Sequence, residues 1–192
     1  MENLDSRVRY TKMVLQQALL KILQRKPIDK VTIKELCEEA KLNRGTFYLH
    51  YSSPNDLLME IEQQFIQETM APFSLYFNEG YETVHMAAVF TGILKNRELC
   101  RIIMSKNGNP RFMERLKEML RGSIVDGWCR EFPAYDRSDL DYVYDFVFTG
   151  SVRLILNWIE DDNGISAEDL ARRLDRLGHY SHLAIDEFHK KP

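Results

Sequence analysis

The chain has 192 residues, 44% of them hydrophobic and 29% charged, with a formal net charge of -3. This composition excludes a disordered chain and predicts a soluble, helix-rich protein of one or two small domains. The net charge excludes a uniformly basic nucleic-acid-binding protein, but the charge is unevenly distributed. Residues 1–51 hold ten Lys/Arg and six Asp/Glu, a balance of +4, so the other 141 residues carry -7. A basic N-terminal region of this kind is typical of a protein that touches phosphates with one end.

The chain contains three widely separated cysteines with no spacing typical of a metal site: Cys37, Cys100 and Cys129. We therefore expect reduced thiols in a cytoplasmic protein without a metal or cofactor. His179 and His182 lie three residues apart, but without a third ligand a solvated or interface pair is favoured. The polar start of the chain does not resemble a signal peptide. The most apolar stretch, 142–159, contains two charged residues, so we expect no membrane span.

Apolar residues recur at helical spacing along the whole chain, which predicts helices and no strand. The first helix is predicted over about 6–25 and ends before Pro27, because the residue preceding a proline disfavours the helical conformation. Thr32 opens a second, short helix, and Glu35 three positions later completes a capping-box pattern. This helix is expected to stop near Lys41.

Asn43 is expected to cap a third helix over 44–51. Ser53 then caps a fourth helix, which has Pro54 at its first position and extends to about Thr69. Apolar spacing and turn residues predict five further helices, over about 81–94, 97–106, 111–132, 138–160 and from Ser166 onward. The expected fold is all-α with about nine helices. Its predicted parts are an N-terminal three-helix domain over 1–53, a connecting helix over 54–69, and a helical bundle over 70–192.

The second and third predicted helices are joined by the turn Lys41-Leu42-Asn43, an arrangement typical of a helix-turn-helix. In this motif the second helix projects its outer face into the major groove of DNA. Phe47 and Tyr51, one turn apart, are expected to hold that helix from beneath. The residues expected on the DNA side are Lys34, Asn43, Arg44, Gly45, Thr46, Tyr48, His50 and Asn55. Their side chains suit guanine, thymine-methyl and phosphate contacts.

The segments Thr32–Ala40, Asn43–Tyr51 and Ser53–Leu58 resemble the DNA-binding domain of the tetracycline-repressor (TetR) family, over residues 8–66. The pattern Gly150…Trp158…Asn163-Gly164…Ser166 is similar to the C-terminal domain common in Firmicute members. Two residues depart from the family pattern. Lys41 stands where the family usually has glycine, and Pro54 stands where it often has a lysine that contacts a phosphate.

The resemblance implies a homodimer that binds a palindromic operator in double-stranded DNA and a small-molecule effector in its C-terminal domain. The implied function is repression that the effector relieves. The alternative is a ligand-independent regulator, or an activator controlled by a partner protein. The chain contains no phosphate-binding glycine loop, nucleophile elbow or metalloprotease motif, so we do not expect an enzyme.

Two sets of apolar residues in the C-terminal part are candidates for function. Six are spaced to line an effector cavity, although Met and aromatic residues at helical spacing are more often plain core: Met86, Phe90, Met104, Trp128, Tyr142 and Phe146. The helix over 140–159 is apolar on nearly all sides, so it is a central core helix or also faces a partner subunit. The resemblance favours an interface through the last two helices, at Val152, Ile155, Ile159, Leu170, Leu174 and Leu177.

Overall fold

The computed structural model describes residues 2–78, 83–161 and 164–185. In those ranges it contains nine α-helices: α1 Glu2–Leu23, α2 Ile33–Ala40, α3 Arg44–Tyr48, α4 Pro54–Asn78, α5 Thr83–Lys95, α6 Arg97–Ile103, α7 Phe112–Glu131, α8 Arg137–Glu160 and α9 Ala167–His182. A short 3₁₀ turn, Ile28–Lys30, lies between α1 and α2. The all-α class expected from the sequence is confirmed. None of the described helices is long and apolar enough to cross a bilayer.

The chain divides into two compact units, which we call the head unit and the body unit. The head unit comprises 1–67 and 98–113, and the body unit comprises 68–97 and 114–192. Residues 98–113 therefore lie with the N-terminal helices, whereas the sequence predicts a C-terminal domain that includes them. The reason is visible at Asn107. Its side-chain amide donates to the carbonyl of Leu23 at 3.0 Å, and its backbone carbonyl accepts from the amide of Ile28 at 3.0 Å.

The head unit is held together by one apolar stripe of α1, which lies against α2. Residues at helical spacing on that stripe are fully buried, as are apolar residues of α2, α3 and α4: Leu15, Leu19, Ile22, Leu36, Phe47, Leu57 and Leu58. Thr32 caps α2 as predicted, because its hydroxyl accepts from the amide of Glu35 at 3.2 Å. The carboxylate of Glu35 does not turn back to the cap. It pairs instead with Lys26, three residues beyond the end of α1.

In the body unit, α9 packs against α5 and α8. Its core contains residues from α7, α8 and the segment after α9: Ile124, Val125, Trp128, Leu140, Val143, Tyr144 and Ile185. Across the connection between α8 and α9, the indole N–H of Trp158 donates to the carbonyl of Ile165 at 2.8 Å. Gly164 in that connection has a φ of 70°, which favours glycine. Ser166 then caps α9 by accepting from the amide of Asp169 at 3.1 Å.

The C-terminal ends of α3 and α4 differ from the sequence prediction in ways that bear on the candidate site. Helix α4 continues to Asn78, well beyond the expected end at Thr69, and it carries Pro72 inside it. A proline inside a helix removes one backbone hydrogen bond, and α4 accommodates that loss within its 25 residues. Helix α3 ends at Tyr48 instead of residue 51, so the candidate recognition helix has only five residues.

Candidate nucleic-acid interface

The turn between α2 and α3 depends on Lys41, which lies in the left-handed region with a φ of 54°. Among the described residues it is the one non-glycine residue with a positive φ. This conformation costs an L-residue about 1 kcal/mol. The amides of Lys41 and Leu42 both donate to the carbonyl of Cys37, which closes the C-terminal end of α2. Leu42 is half-buried at the turn.

Helix α3 begins with a tight cap at Asn43. The side-chain oxygen of Asn43 accepts from the amide of Thr46 at 2.7 Å and from the Thr46 hydroxyl at 3.0 Å. The cap predicted from the sequence is therefore confirmed. The Thr46 hydroxyl already donates its proton to Asn43. Thr46 is therefore better suited to contact DNA through its methyl group than through a hydroxyl proton.

The inner face of α3 is held by two aromatic residues, as the sequence predicts. Phe47 and Tyr51 are buried, with ring centroids 5.9 Å apart. The Tyr51 hydroxyl donates to Glu60 of α4 at 3.0 Å, and Lys12 of α1 pairs with the same carboxylate at 2.9 Å. Burial, followed by the Glu60 carboxylate, raises the pKa of Tyr51, so the phenol stays a neutral donor.

The outer face of α3 is open to solvent. Arg44 and Gly45 are exposed, and the Tyr48 side chain is 60% exposed. Thr46 and His50 are half-buried, whereas Lys34, Asn43 and Asn55 are exposed. Leu49 is 80% exposed and was missed by the sequence analysis. Its position two residues after Phe47 was an available signal, because that spacing points it away from the buried face.

Most cations of residues 1–51 are engaged by nearby carboxylates. Lys12, Lys21, Arg25, Lys26, Lys30 and Lys34 each form an ion pair within the head unit. The remaining four form no ion pair with the described part of the chain: Arg7, Arg9, Lys41 and Arg44. Arg7 and Arg9 lie near the start of α1, while Lys41 and Arg44 flank the cap of α3. The uncompensated positive charge is therefore concentrated at α1 and at the start of the candidate recognition helix.

The N-terminus of α4 is capped by its own neighbours. The Asp56 amide donates to the Ser53 hydroxyl at 3.2 Å, and the Asp56 carboxylate accepts from the amide of Ser52 at 3.2 Å. The Ser52 hydroxyl also donates to this carboxylate and is the main reason that the pKa of Asp56 is lowered. With the Asp56 amide already bonded and its carboxylate charged, the amide of Asn55 is the one better suited to a phosphate.

The six candidate effector residues differ in burial and in the unit to which they belong. Phe90 is buried with its ring 6.1 Å from that of Trp158, and Trp128 is buried 6.4 Å from Tyr144. Met86 is half-buried on α5, and Met104 is half-buried in the head unit. Tyr142 and Phe146 are 73% and 74% exposed, which corrects the expectation that they line an interior cavity.

A separate open groove of about 400 Å³ lies between α5 and α9, lined by Val84, Ala87, Ala88, Thr91, Glu168 and Arg172. None of the six candidate effector residues lines it. The described residues contain no group of three or more His, Cys, Asp or Glu side chains that could hold a metal ion. Cys37, Cys100 and Cys129 form no disulfide within the described part of the chain, and burial raises the pKa of Cys100 to about 12.

The candidate dimerisation residues fall into two groups. Ile159, Leu170 and Leu174 are buried inside the subunit, so they belong to its core and this corrects their assignment to a partner-facing surface. Val152 and Ile155 are half-buried, and Leu177 is exposed. A different set of residues forms an exposed stripe on α8 at four-residue intervals: Tyr142, Phe146, Gly150 and Leu154. On α9 the exposed apolar residues are Leu177 and Tyr180, with Leu183 directly after the helix.

Residues 16–61 match the family model described as bacterial regulatory proteins, tetR family, and residues 85–180 match the model described as transcriptional regulator C-terminal region. The chain is 23% identical over 171 residues to the uncharacterised HTH-type transcriptional regulator YxbF of Bacillus subtilis, and 31% identical over 70 residues to its YvdT. These alignments cover 85% and 35% of the chain. The chain spans less than half the length of these curated relatives, 43% and 36% respectively.

Two solved structures share the fold. A TetR transcriptional regulator from Streptococcus agalactiae matches with a TM-score of 0.66 and 20% identity, over 91% of this chain and 96% of that one. The dihydroxyacetone kinase operon activator DhaS matches with a TM-score of 0.52 and 13% identity, over 92% and 97%. At these identities the likeness concerns the fold alone.

Proposed function

Because the chain belongs to the tetR family of bacterial regulatory proteins, we propose that it is a sequence-specific, DNA-binding transcriptional regulator. The observation that carries this proposal is the exposed face of α3, with Arg44 and Tyr48 over the fully buried Phe47. A short helix held from beneath presents its outer side chains in a fixed geometry. Arg44 can pair with the edge of a guanine, and the hydroxyl of Tyr48 can bind a phosphate.

The regulator acts as a homodimer on a palindromic operator. Dimerisation through the last helices is typical of the family. In a lone subunit, the stripe of Tyr142, Phe146 and Leu154 on α8 would be left in water, as would Leu177 of α9. A two-fold dimer covers the same patch on both chains. Two recognition helices so related read half-sites about 34–36 Å apart, or a multiple of that distance.

The regulator is a repressor that a small-molecule effector releases from DNA. The body unit offers two buried aromatic pairs, Phe90 with Trp158 and Trp128 with Tyr144, and an effector that enters beside either one would change its packing. Both tryptophans of the chain take part in these pairs, so their fluorescence reports on binding. DhaS shares the fold and is an activator, so a reporter assay with and without the gene decides between repression and activation.

The proposal is tested by selecting DNA with the full-length protein from a pool of random duplexes. We expect enrichment of a palindromic sequence and, in a gel shift, two chains per bound duplex. A pool that yields no enriched sequence and no complex at low salt would contradict DNA recognition. An enriched sequence without internal symmetry would contradict the dimeric mode but not the binding itself.

A further inference from the structure

The backbone of Lys41 has a strained conformation that a glycine at the same position would adopt without strain. Its φ of 54° and ψ of 39° are adopted freely by glycine but at a cost by lysine. Residues held in such conformations concentrate at functional sites, where the side chain has a use that outweighs the strain. Because glycine would satisfy the same turn, the presence of a long cationic side chain needs a separate reason.

The electrostatics of α2 leave this lysine without an internal partner. The two carboxylates nearest along α2 are already engaged, Glu38 by Lys34 and Glu39 by Lys21. Lys41 is exposed and forms no ion pair with any residue that the structure describes. Arg44, three residues further on, is also exposed and also forms no ion pair with the described residues. Two uncompensated cations three residues apart repel each other, and an anion bound beside them would offset this repulsion.

The geometry fixes Lys41 relative to the recognition helix. Its amide is bonded to the carbonyl of Cys37, and so is the amide of Leu42, at 3.0 Å. Only Leu42 separates Lys41 from Asn43, whose side chain caps α3. The backbone of Lys41 is therefore held two residues before the cap of α3, and its ammonium group lies within one side-chain length of that point.

We propose that Lys41 binds a phosphate of the DNA backbone beside the base pair that Arg44 reads, an inference that rests on the proposed function. An ammonium group is a point charge without the planar fork of arginine, so this contact adds affinity and not sequence preference. The competing explanation is a favourable interaction between Lys41 and the C-terminal dipole of α2. That interaction would stabilise the head unit and would leave DNA binding unchanged.

Three substitutions of the full-length protein separate charge from strain. Lys41→Gln removes the charge and keeps a non-glycine residue, Lys41→Arg keeps the charge, and Lys41→Gly removes both charge and strain. The matched control is Lys95→Ala, which removes an exposed lysine of the body unit. Affinity is measured for the duplex selected by the wild-type protein and for a scrambled duplex of equal length, from roughly 50 to 200 mM salt.

We expect Lys41→Gln and Lys41→Gly to weaken binding of both duplexes, about five- to tenfold per subunit at 0.1 M salt, and to reduce the log–log salt slope by about 0.9 per subunit. Lys41→Arg and Lys95→Ala should keep the wild-type slope. Lys41→Gly should also melt about 2–4 °C higher than Lys41→Gln, because it releases the strain.

Wild-type slope and affinity in both neutral variants would overturn the phosphate contact. Weaker binding with an unchanged slope would also overturn it, because the loss would then come from turn geometry. Failure of the wild-type protein to select any duplex would instead refute the proposed function, so the two failures are distinguishable.

Discussion

The hydroxyl of Tyr51 donates to the carboxylate of Glu60 at 3.0 Å, which joins the segment after α3 to α4. Lys12 of α1 pairs with the same carboxylate and lies over the Tyr51 ring, 5.6 Å from its centroid. Three parts of the head unit therefore meet at one side chain of α4. A displacement of α4 at Glu60 would therefore disturb the hydrogen bond to Tyr51, the residue that supports the recognition helix.

Tyr51→Phe should destabilise the protein modestly, because it keeps the buried ring and removes one hydrogen bond. A hydrogen bond to a charged group contributes about 1.5–3 kcal/mol, and Lys12 still compensates Glu60. We expect a melting temperature several degrees lower, measured by circular dichroism. The control is Tyr48→Phe, the same chemical change on the exposed face, which should leave melting unchanged and weaken DNA binding. Equal melting temperatures for the two variants would contradict the role of the Tyr51–Glu60 bond.

Arg44→Ala should weaken operator binding by about 1–3 kcal/mol while leaving the melting temperature nearly unchanged. The reason is that Arg44 is exposed and makes no ion pair with the described residues. Phe47→Ala is the contrasting variant. It removes a fully buried ring beneath the same helix and should cost about 3–5 kcal/mol of stability. Unaltered operator affinity in Arg44→Ala would exclude Arg44 from the residues that read DNA.

The sequence predicted the features of this interface that depend on local spacing. The caps at Thr32, Asn43, Ser53 and Ser166 are all confirmed. A cap joins residues three positions apart, so its partners are visible in the sequence itself. The buried pair Phe47 and Tyr51 was predictable for the same reason, because four residues make about one helical turn.

Longer-range features were not predictable in this way. The contact between Asn107 and Leu23 joins residues 84 positions apart, and nothing in either segment indicates the other. Helical spacing also cannot tell which apolar face covers the subunit's own core. It therefore assigned Leu174, which is buried, to the same surface as Leu177, which is exposed.

Phe146→Glu and Leu154→Arg should each disrupt the dimer while the subunit stays folded. Both side chains are exposed in the subunit, so a charge there costs little until a partner covers it. We expect monomers in analytical ultracentrifugation and loss of operator binding. Leu174→Glu is the contrasting variant, because its side chain is buried and the charge should unfold the body unit. If both surface variants remain dimeric and bind the operator, the interface lies elsewhere.

Asp56→Asn should make the stability of the protein less sensitive to a fall in pH. The pKa of Asp56 is lowered in the folded state, chiefly by the Ser52 hydroxyl. A carboxyl group with a lowered pKa stabilises the fold above its unfolded pKa, about 3.9, and loses this contribution as the pH falls through the folded value. The melting difference between wild type and variant should therefore be largest near pH 7 and shrink below about pH 4.

The control for this titration is Asp29→Asn, which removes an exposed carboxylate that pairs with its neighbour Lys30. Exposed pairs of this kind contribute little, so this variant should follow the wild-type curve. A constant difference between wild type and Asp56→Asn from pH 7 to about pH 3 would show that the carboxylate charge does not stabilise the start of α4.

The head unit contains residues 98–113 as well as 1–67, and this limits how hybrid regulators can be built from the chain. A graft of residues 1–67 onto a foreign effector domain would leave out Cys100, Ile103 and Phe112, which are almost completely buried. It would also leave the carbonyl of Leu23 without the amide of Asn107. The same loop needs Gly108, because a Cβ atom there would lie 2.5 Å from the carbonyl oxygen of Ile103. A DNA-binding domain transferred from this chain must therefore include residues 98–113 after residues 1–67 in the sequence, with Gly108 retained.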